Sequence, residues 1–151
     1  MAYALQLGHK HIPEMQLKAG LTHPPVFCPS VIPAFRGMVV EVPLALEAMR
    51  AAARPDEMRA ALQEYYADSP VVHVADAEDA PPELLIRKSD EPSDRLRLHV
   101  FSDEAGDQAR LVAVLDNLGK GASGAAVQSL NLMAGCAETA GLRLGVTAMP
   151  K

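Results

Sequence analysis

Arg95-Leu96-Arg97-Leu98-His99-Val100-Phe101 and Gln108-Ala109-Arg110-Leu111-Val112-Ala113-Val114-Leu115 are the two clearest strand sequences in the chain. The link between them, Asp103-Glu104-Ala105-Gly106-Asp107, has the glycine and short acidic residues of a hairpin turn. An antiparallel pair is therefore the centre from which the rest of the fold is read.

Beyond that pair, Asp116 ends the second strand, residues 119–124 form a glycine-bearing loop, and a helix rich in small residues is expected from about 121 to 139. Before it, residues 76–94 are acidic and proline-bearing, with a small apolar island at residues 84–86, and read as mostly loop. Residues 71–74 read as a strand. Pro55 opens a helix with Asp56 and Glu57 in its first turn, and Met58, Leu62, Tyr65 and Tyr66 form its apolar stripe. Residues 38–44 alternate, with Met38, Val40, Val42 and Leu44 on one face and Val39, Glu41 and Pro43 on the other. Pro43 marks an edge strand or a strand end. Residues 3–8 are a short apolar run that reads as a strand. Pro13 opens a helix over residues 14–19, with Gly20 just past its end. This order predicts an α+β fold with a mixed, largely antiparallel sheet packed by helices, as one domain over residues 1–151.

The 151 residues suffice for one buried core, and with four per cent aromatics and no Trp that core falls to Leu, Val, Ala and Met. No apolar run is long enough to cross a bilayer, and the first residues lack the pattern of a signal peptide, so a cytoplasmic location is expected. Cys28 and Cys136 are far apart and read as reduced packing residues. The net charge of −5 argues against nucleic acid as a partner. Charge is uneven: residues 55–107 carry 14 Asp and Glu against 5 Lys and Arg, and both flanks are slightly basic. That pattern suits either an anionic ligand at the flanks or simply a solvated acidic middle.

Three segments carry candidate chemistry. In Gly8-His9-Lys10-His11-Ile12-Pro13-Glu14, two imidazoles and a carboxylate stand within six residues. His9 and His11 have the i, i+2 spacing of strand metal ligands, but Pro13 breaks any strand before Glu14, which strains a local three-ligand site. Proton transfer is the competing use, and surface histidines the plain one. In Asp116-Asn117-Leu118-Gly119-Lys120-Gly121, a strand runs through glycines into a helix. Such a junction exposes backbone N–H groups to anions, or simply allows a tight connection. The lysine spacing is not that of a P-loop, and no dinucleotide fingerprint follows a strand. In Pro33-Ala34-Phe35-Arg36-Gly37-Met38, Arg36 stands before a strand, where it clamps an anion or closes a strand-end salt bridge.

In order along the chain, these three segments resemble N-acetyl-gamma-glutamyl-phosphate reductases of arginine biosynthesis, in their C-terminal part. The stretch from Leu115 through Gly119-Lys120-Gly121-Ala122-Ser123-Gly124 to Asn131-Leu132-Met133 is the most specific. Its wording is similar to the shorter of two subtypes, and Pro33–Met38 is more like the longer. The resemblance implies a fold like the glyceraldehyde-3-phosphate dehydrogenase C-terminal domain. It implies NADPH-dependent reduction of an acyl phosphate to a semialdehyde through a cysteine thioester. His9 then matches the catalytic acid/base, with His11 and Glu14 supporting it and Glu14 orienting an imidazole. Arg36 matches a substrate-anion residue. Asn117, Gly119, Lys120 and Gly121 match positions beside NADP. A homo-oligomer and an N-terminal Rossmann domain are implied partners, and that domain, with its nucleophilic cysteine, is not in this chain. The chain is therefore expected to be inactive alone. Ser93-Asp94 stands where the family often has a Gly-Thr-Asn-like segment. Two readings compete: a non-catalytic interaction module of the same fold, and a reductase of carrier-bound aminoadipyl phosphate in lysine biosynthesis.

Overall fold

The computed structural model describes residues 1–49, 54–87 and 89–145. The chain divides into two compact units, Met1–Pro33 and Ala34–Lys151, each described by itself.

The first unit is a short helix on a looped frame. Helix α1 is Ile12–Lys18, with His11 at its N-cap, Pro13 in its first turn where a missing N–H costs nothing, and Glu14 at the positive end of the helix dipole. Gly20 takes φ +63°, and the Leu21 N–H then closes the helix onto the Gln16 carbonyl at 3.0 Å. The frame closes through an antiparallel bridge of Ala2 with Ser30, flanked by the Val31 N–H on the Met1 carbonyl at 2.8 Å. Residues 3–8 do not form the expected strand. Ala4 and Leu7 adopt φ of +54° and +58°, and the Leu7 N–H donates to the Ala4 carbonyl, so the run folds into a turn. Side-chain apolarity gave no sign of this, because a strand also needs a partner and left-handed residues deny one.

The second unit is an open four-stranded sheet in the order β1-β4-β3-β2. The strands are β1 Met38–Ala45, β2 Val72–Val74, β3 Leu96–Ser102 and β4 Gln108–Leu115. β1 and β3 each pair antiparallel with β4, and β2 pairs parallel with β3. The mixed, largely antiparallel sheet of the α+β expectation is thus found. Pro43 lies on the edge strand β1, where its lack of an N–H is tolerated. Helix α2, Pro55–Tyr65, packs against β3 and β2, and its Arg59 Nη2 donates to the Val100 carbonyl at 2.8 Å. Tyr65 leaves the expected stripe: it is exposed and rests edge-on against Tyr66.

The register fixes where polar residues gather. Met38 and Leu96 both face Leu115, so the starts of β1 and β3 and the end of β4 share one end of the sheet. One sheet face carries buried Val74, Val100 and Ala109 but leaves Met38, Val40 and Val42 more than 40% exposed on β1. The other face, with Val39, Val114, Arg97 and His99, is overlain by Leu84, Leu85 and Ile86. Gly37, at φ +106°, makes room for Ile86, whose side chain occupies the space a Cβ would need. After β4 comes a π-helical turn, Gly119–Ser123, and then α3, Gly124–Met133. α3 ends six residues earlier than expected. Gly135 turns left-handed at φ +68°, and the Asn131 amide donates to the carbonyls of Glu138 and Ala140, folding the chain back. Cys28 and Cys136 are both exposed, contrary to the packing role expected of them.

Candidate active site

In the first unit, the turn before α1 brings three rings around His9. Phe27 and His11 stand edge-on to it at 5.0 and 4.9 Å between centroids, and Tyr3 lies at 5.9 Å. The backbone N–H of His11 donates to His9 Nδ1 at 3.3 Å. A neutral imidazole that accepts at Nδ1 carries its proton on Nε2. His9 is therefore half-buried, braced on several sides, and presents Nε2–H. Glu14 is exposed, and among the described residues no hydrogen bond joins it to either imidazole. The atom that fixes the His9 ring is the His11 amide. Among the described residues, no group of three His, Cys, Asp or Glu side chains is arranged to hold a metal.

In the second unit, the polar end of the sheet is built on two buried carboxylates, Asp116 and Asp94. Asp116 Oδ2 accepts Arg36 Nη1 at 2.6 Å and the Ser93 N–H at 3.3 Å, and Oδ1 accepts the Leu118 N–H at 2.9 Å. Burial pushes its pKa up. The hydrogen bonds from the Leu118 and Gly119 amides, Arg36 and Ser93 outweigh that and hold it below the usual carboxylate value. Asp94 takes Nε and Nη2 of Arg143, both at 3.0 Å, and the Arg143 N–H at 2.7 Å. The Arg143 fork lowers the Asp94 pKa, and Asp94 raises that of Arg143. Sequence reading named Asp94 only as part of the departure at Ser93-Asp94 and gave it no role of its own. The signal that could have found it is the pair of glycines it packs against, Gly119 and Gly124, where a Cβ would collide with its carboxylate.

The glycine junction is closed by its own chain. The N–H of Leu118 goes to Asp116 Oδ1, that of Lys120 to the Ser93 carbonyl, that of Gly121 to the Asp116 carbonyl, and that of Ser123 to the Leu118 carbonyl. Lys120 Nζ donates to Gln128 Oε1 at 2.7 Å, which extends through the Gln128 amide to Glu138. Asn117 Oδ1 accepts the Gly37 N–H at 2.8 Å, so β1 is latched to the end of β4 twice, by Asn117–Gly37 and by Asp116–Arg36. Gly119 is buried and Gly121 exposed. The π-helical turn thus presents side chains and one glycine surface rather than a row of free amides.

Fold and site together define an α+β open-sheet domain whose ionic groups gather at one sheet end. Residues 1–117 match the family described as semialdehyde dehydrogenase, dimerisation domain, and the chain belongs to that family. Curated relatives include N-acetyl-gamma-glutamyl-phosphate reductases of Rhizobium meliloti strain 1021, 44% identical over 132 residues, and of Brucella ovis, 45% identical over 136. A relative of the same name from Brucella suis biovar 1 is also 45% identical over 136 residues. The matches cover 87–88% of this chain but 43% of each relative, so the chain spans less than half their length.

Proposed function

We propose that this chain is the acid/base and dimerisation part of an NADP-dependent N-acetyl-gamma-glutamyl-phosphate reductase of arginine biosynthesis. The observation that carries this is the 44–45% identity to reductases of that name across nearly all of the chain. The activity requires a nucleophilic thiolate and a nucleotide-binding Rossmann domain acting together with the residues described above. When bound, the nicotinamide cofactor supplies the hydride that turns the acyl group into the semialdehyde.

Within this chain, His9 is the proton-transfer residue. Its Nε2–H hydrogen-bonds the oxygen that gains charge as the acyl group is attacked and phosphate leaves; at the reduction step the same nitrogen lends its proton to the developing alkoxide and recovers it as the thiolate departs and the aldehyde forms. His11 serves it through the amide that holds Nδ1 and through its ring, and Glu14 is the third member of the motif. Arg36, fixed by Asp116, binds an anionic group of the substrate. Asn117, Gly119, Lys120 and Gly121 contact NADP. Because the amides of Leu118, Gly119, Lys120 and Gly121 are bonded within the chain, this turn fits an edge contact with that group rather than a phosphate cradle.

A dimerisation-domain family supports self-association, and the exposed strip of Met38, Val40 and Val42 on β1 is apolar surface suited to it. Among the described residues no helix is long and apolar enough to cross a membrane, and we place the reaction in the cytoplasm.

The test joins this chain to the N-terminal part of the Rhizobium meliloti relative and follows NADPH oxidation with N-acetyl-gamma-glutamyl phosphate. Turnover is expected. A folded, soluble chimera without turnover overturns the reductase reading and leaves the non-catalytic interaction module. Faster turnover on carrier-bound aminoadipyl phosphate would assign the lysine-pathway substrate instead.

A further inference from the structure

Residues 119–123 keep a hydrogen-bond register that differs from that of the α-helix they lead into. In an α-helical turn the Lys120 N–H would donate to the Asp116 carbonyl, four residues back. It donates instead to the Ser93 carbonyl at 3.2 Å, and the Asp116 carbonyl accepts the Gly121 N–H at 2.9 Å. The Ser123 N–H likewise reaches five residues back, to the Leu118 carbonyl at 3.1 Å. The π register thus begins where Ser93, from the loop before β3, takes one amide out of the helical series.

Asp94 bears on both ends of the turn. It is 2% exposed, and its side chain occupies the space that a Cβ on Gly124 would need. Its Oδ1 also lies 2.9 Å from where a Cβ on Gly119 would stand. Asp116 Oδ2 lies 3.1 Å from that same point, so Gly119 is held between two carboxylates. A shift of Asp94 therefore changes the space open to Gly119 and Gly124 together.

Arg143 sets where Asp94 stands. After α3 the chain folds back, and residues 143–144 return to the start of β3. The N–H and Nε of Arg143 donate to Asp94 Oδ2 at 2.7 and 3.0 Å, and its Nη2 donates to Oδ1 at 3.0 Å. The Asp94 N–H donates to the Arg143 carbonyl at 3.0 Å, and Arg95 Nε to the Leu144 carbonyl at 2.9 Å. A bidentate guanidinium fixes a carboxylate in orientation as well as in place. The Arg143 side chain is 49% exposed and that of Asp94 3%, so a group at the surface closes the clamp and a buried one carries its effect to the turn.

We propose that Arg143 and Asp94 are positioning residues for the nicotinamide cofactor: they keep residues 119–123 in the π register, and that register sets where Asn117 and Lys120 meet the cofactor. The inference rests on the reductase reading and deepens it, because the turn starts just after Asn117 and carries Lys120. Without the fork, Asp94 no longer bears on the two glycines. The Lys120 N–H then returns to the Asp116 carbonyl, and the turn tightens toward an α-helical register. Lys120 and the residues after it rotate about the helix axis, while Arg36 keeps its own carboxylate, Asp116. Loss of Arg143 thus disturbs the cofactor and spares the substrate anion.

The experiment has two arms. The first records amide NMR spectra of the whole 151-residue chain and its Arg143 variants. Arg143 is half exposed, so replacing it leaves the buried side of the clamp in place. The Lys120 and Gly121 amides should shift in Arg143→Ala and stay near their parent positions in Arg143→Lys, which keeps a cation on Asp94. The second arm places the same variants in the chimeric reductase. Arg143→Ala should raise KM for NADPH about tenfold and change KM for the acyl phosphate less than about twofold, and Arg143→Lys should recover most of the loss. A fold merely loosened by the substitution would move both KM values or neither. The proposal is overturned if the Lys120 and Gly121 amides do not move, if KM for NADPH is unchanged, if both KM values rise together, or if Arg143→Lys is as impaired as Arg143→Ala. The two readings fail separately. An active parent chimera whose cofactor KM ignores Arg143 removes the positioning role alone. An inactive parent chimera overturns the reductase reading and the cofactor role with it, while the amide shifts still decide whether Arg143 sets the register.

Discussion

Arg36 and Asp116 are eighty residues apart in sequence and 2.6 Å apart in space. The contact follows from the sheet register: Met38 faces Leu115, so the residues leading into β1 meet those leaving β4. Asp116 is 5% exposed at its side chain and Arg36 21%, so the pair is sheltered enough to fix the guanidinium and open enough to let it reach a ligand. Asp116→Asn removes the charge that holds Arg36. In the chimeric reductase, KM for the acyl phosphate should rise roughly tenfold while kcat changes less than about threefold, the pattern of lost ground-state binding. Arg36→Lys should behave like the loss of the residue, because an ammonium cannot hold Asp116 and grip a second anion in a planar fork. Steady-state kinetics well below the melting temperature separates this from simple destabilisation.

Gly124 is required by Asp94 and Gly119 first by the Ser93 carbonyl and then by Asp94, whereas Gly121 is not required. A Cβ on Gly124 would lie within van der Waals distance of three Asp94 side-chain atoms, whereas one on Gly121 meets Leu115 Cδ1 at an ordinary 3.4 Å. Gly124→Ala should cost about 1–3 kcal/mol by overpacking. Gly121→Ala should be neutral or stabilise by up to about 0.5–1 kcal/mol, since alanine restricts the unfolded chain. Urea denaturation of the two variants checks the contrast, and equal losses would mean that Asp94 gives way.

Legibility in the sequence followed the range of the interaction. β1, β3 and β4 were readable because alternation and a short acidic turn are local properties, and the register of the hairpin then follows from its loop. The helix opened by Pro55 was readable from its first turn. The turn at Ala4 and Leu7 was not, because backbone handedness leaves no trace in side-chain polarity. The end of α3 was missed because Asn131 takes carbonyls of residues seven and nine positions on, which no helical pattern encodes. The histidine segment and Arg36 were singled out by type and spacing. Asp94 and His99 were not, since a buried acid and a buried imidazole look like surface ones until the elements that cover them are in place.

Stability should fall with acid in two stages that begin at different pH. His99 is held below the ordinary imidazole value of about 6.5, so the unfolded chain takes up its proton more readily than the folded one. Its contribution is therefore present above about pH 6.5 and lost as pH falls from there through the lowered folded value. Asp94 and Asp116 are held below the ordinary carboxylate value of about 4. Their contribution is present above that value and lost only as pH falls below it. His99→Gln should abolish the upper step and leave the lower one, and Asp94→Asn should reduce the lower step. Removing the Asp94 charge should also lower stability at neutral pH, by less than breaking a fully buried pair would, because Arg143 is half exposed. Urea midpoints measured from pH 8 to pH 3 test both steps; one continuous slope unaffected by His99→Gln would refute the assignment.

The contacts of His9 distinguish two ways of orienting a catalytic imidazole. In a triad, a carboxylate holds the ring nitrogen remote from the substrate, and neutralising it costs about 10⁴-fold because the wrong tautomer is then favoured. Here that nitrogen, Nδ1, accepts the His11 backbone N–H, and the ring is braced by Phe27, Tyr3 and the His11 side chain. A backbone donor cannot be removed by changing a side chain, so the Nε2–H tautomer should survive substitution of Glu14. In the chimeric reductase, His9→Ala should slow turnover about 10²–10⁴-fold. Glu14→Gln should slow it less than about threefold, and its pH–rate profile should overlay the parent's. Phe27→Leu should fall between them, because it loosens the ring without changing its proton. A loss of a hundredfold or more for Glu14→Gln would show that the carboxylate moves onto an imidazole in the assembled enzyme, and that the amide is only the resting partner of His9.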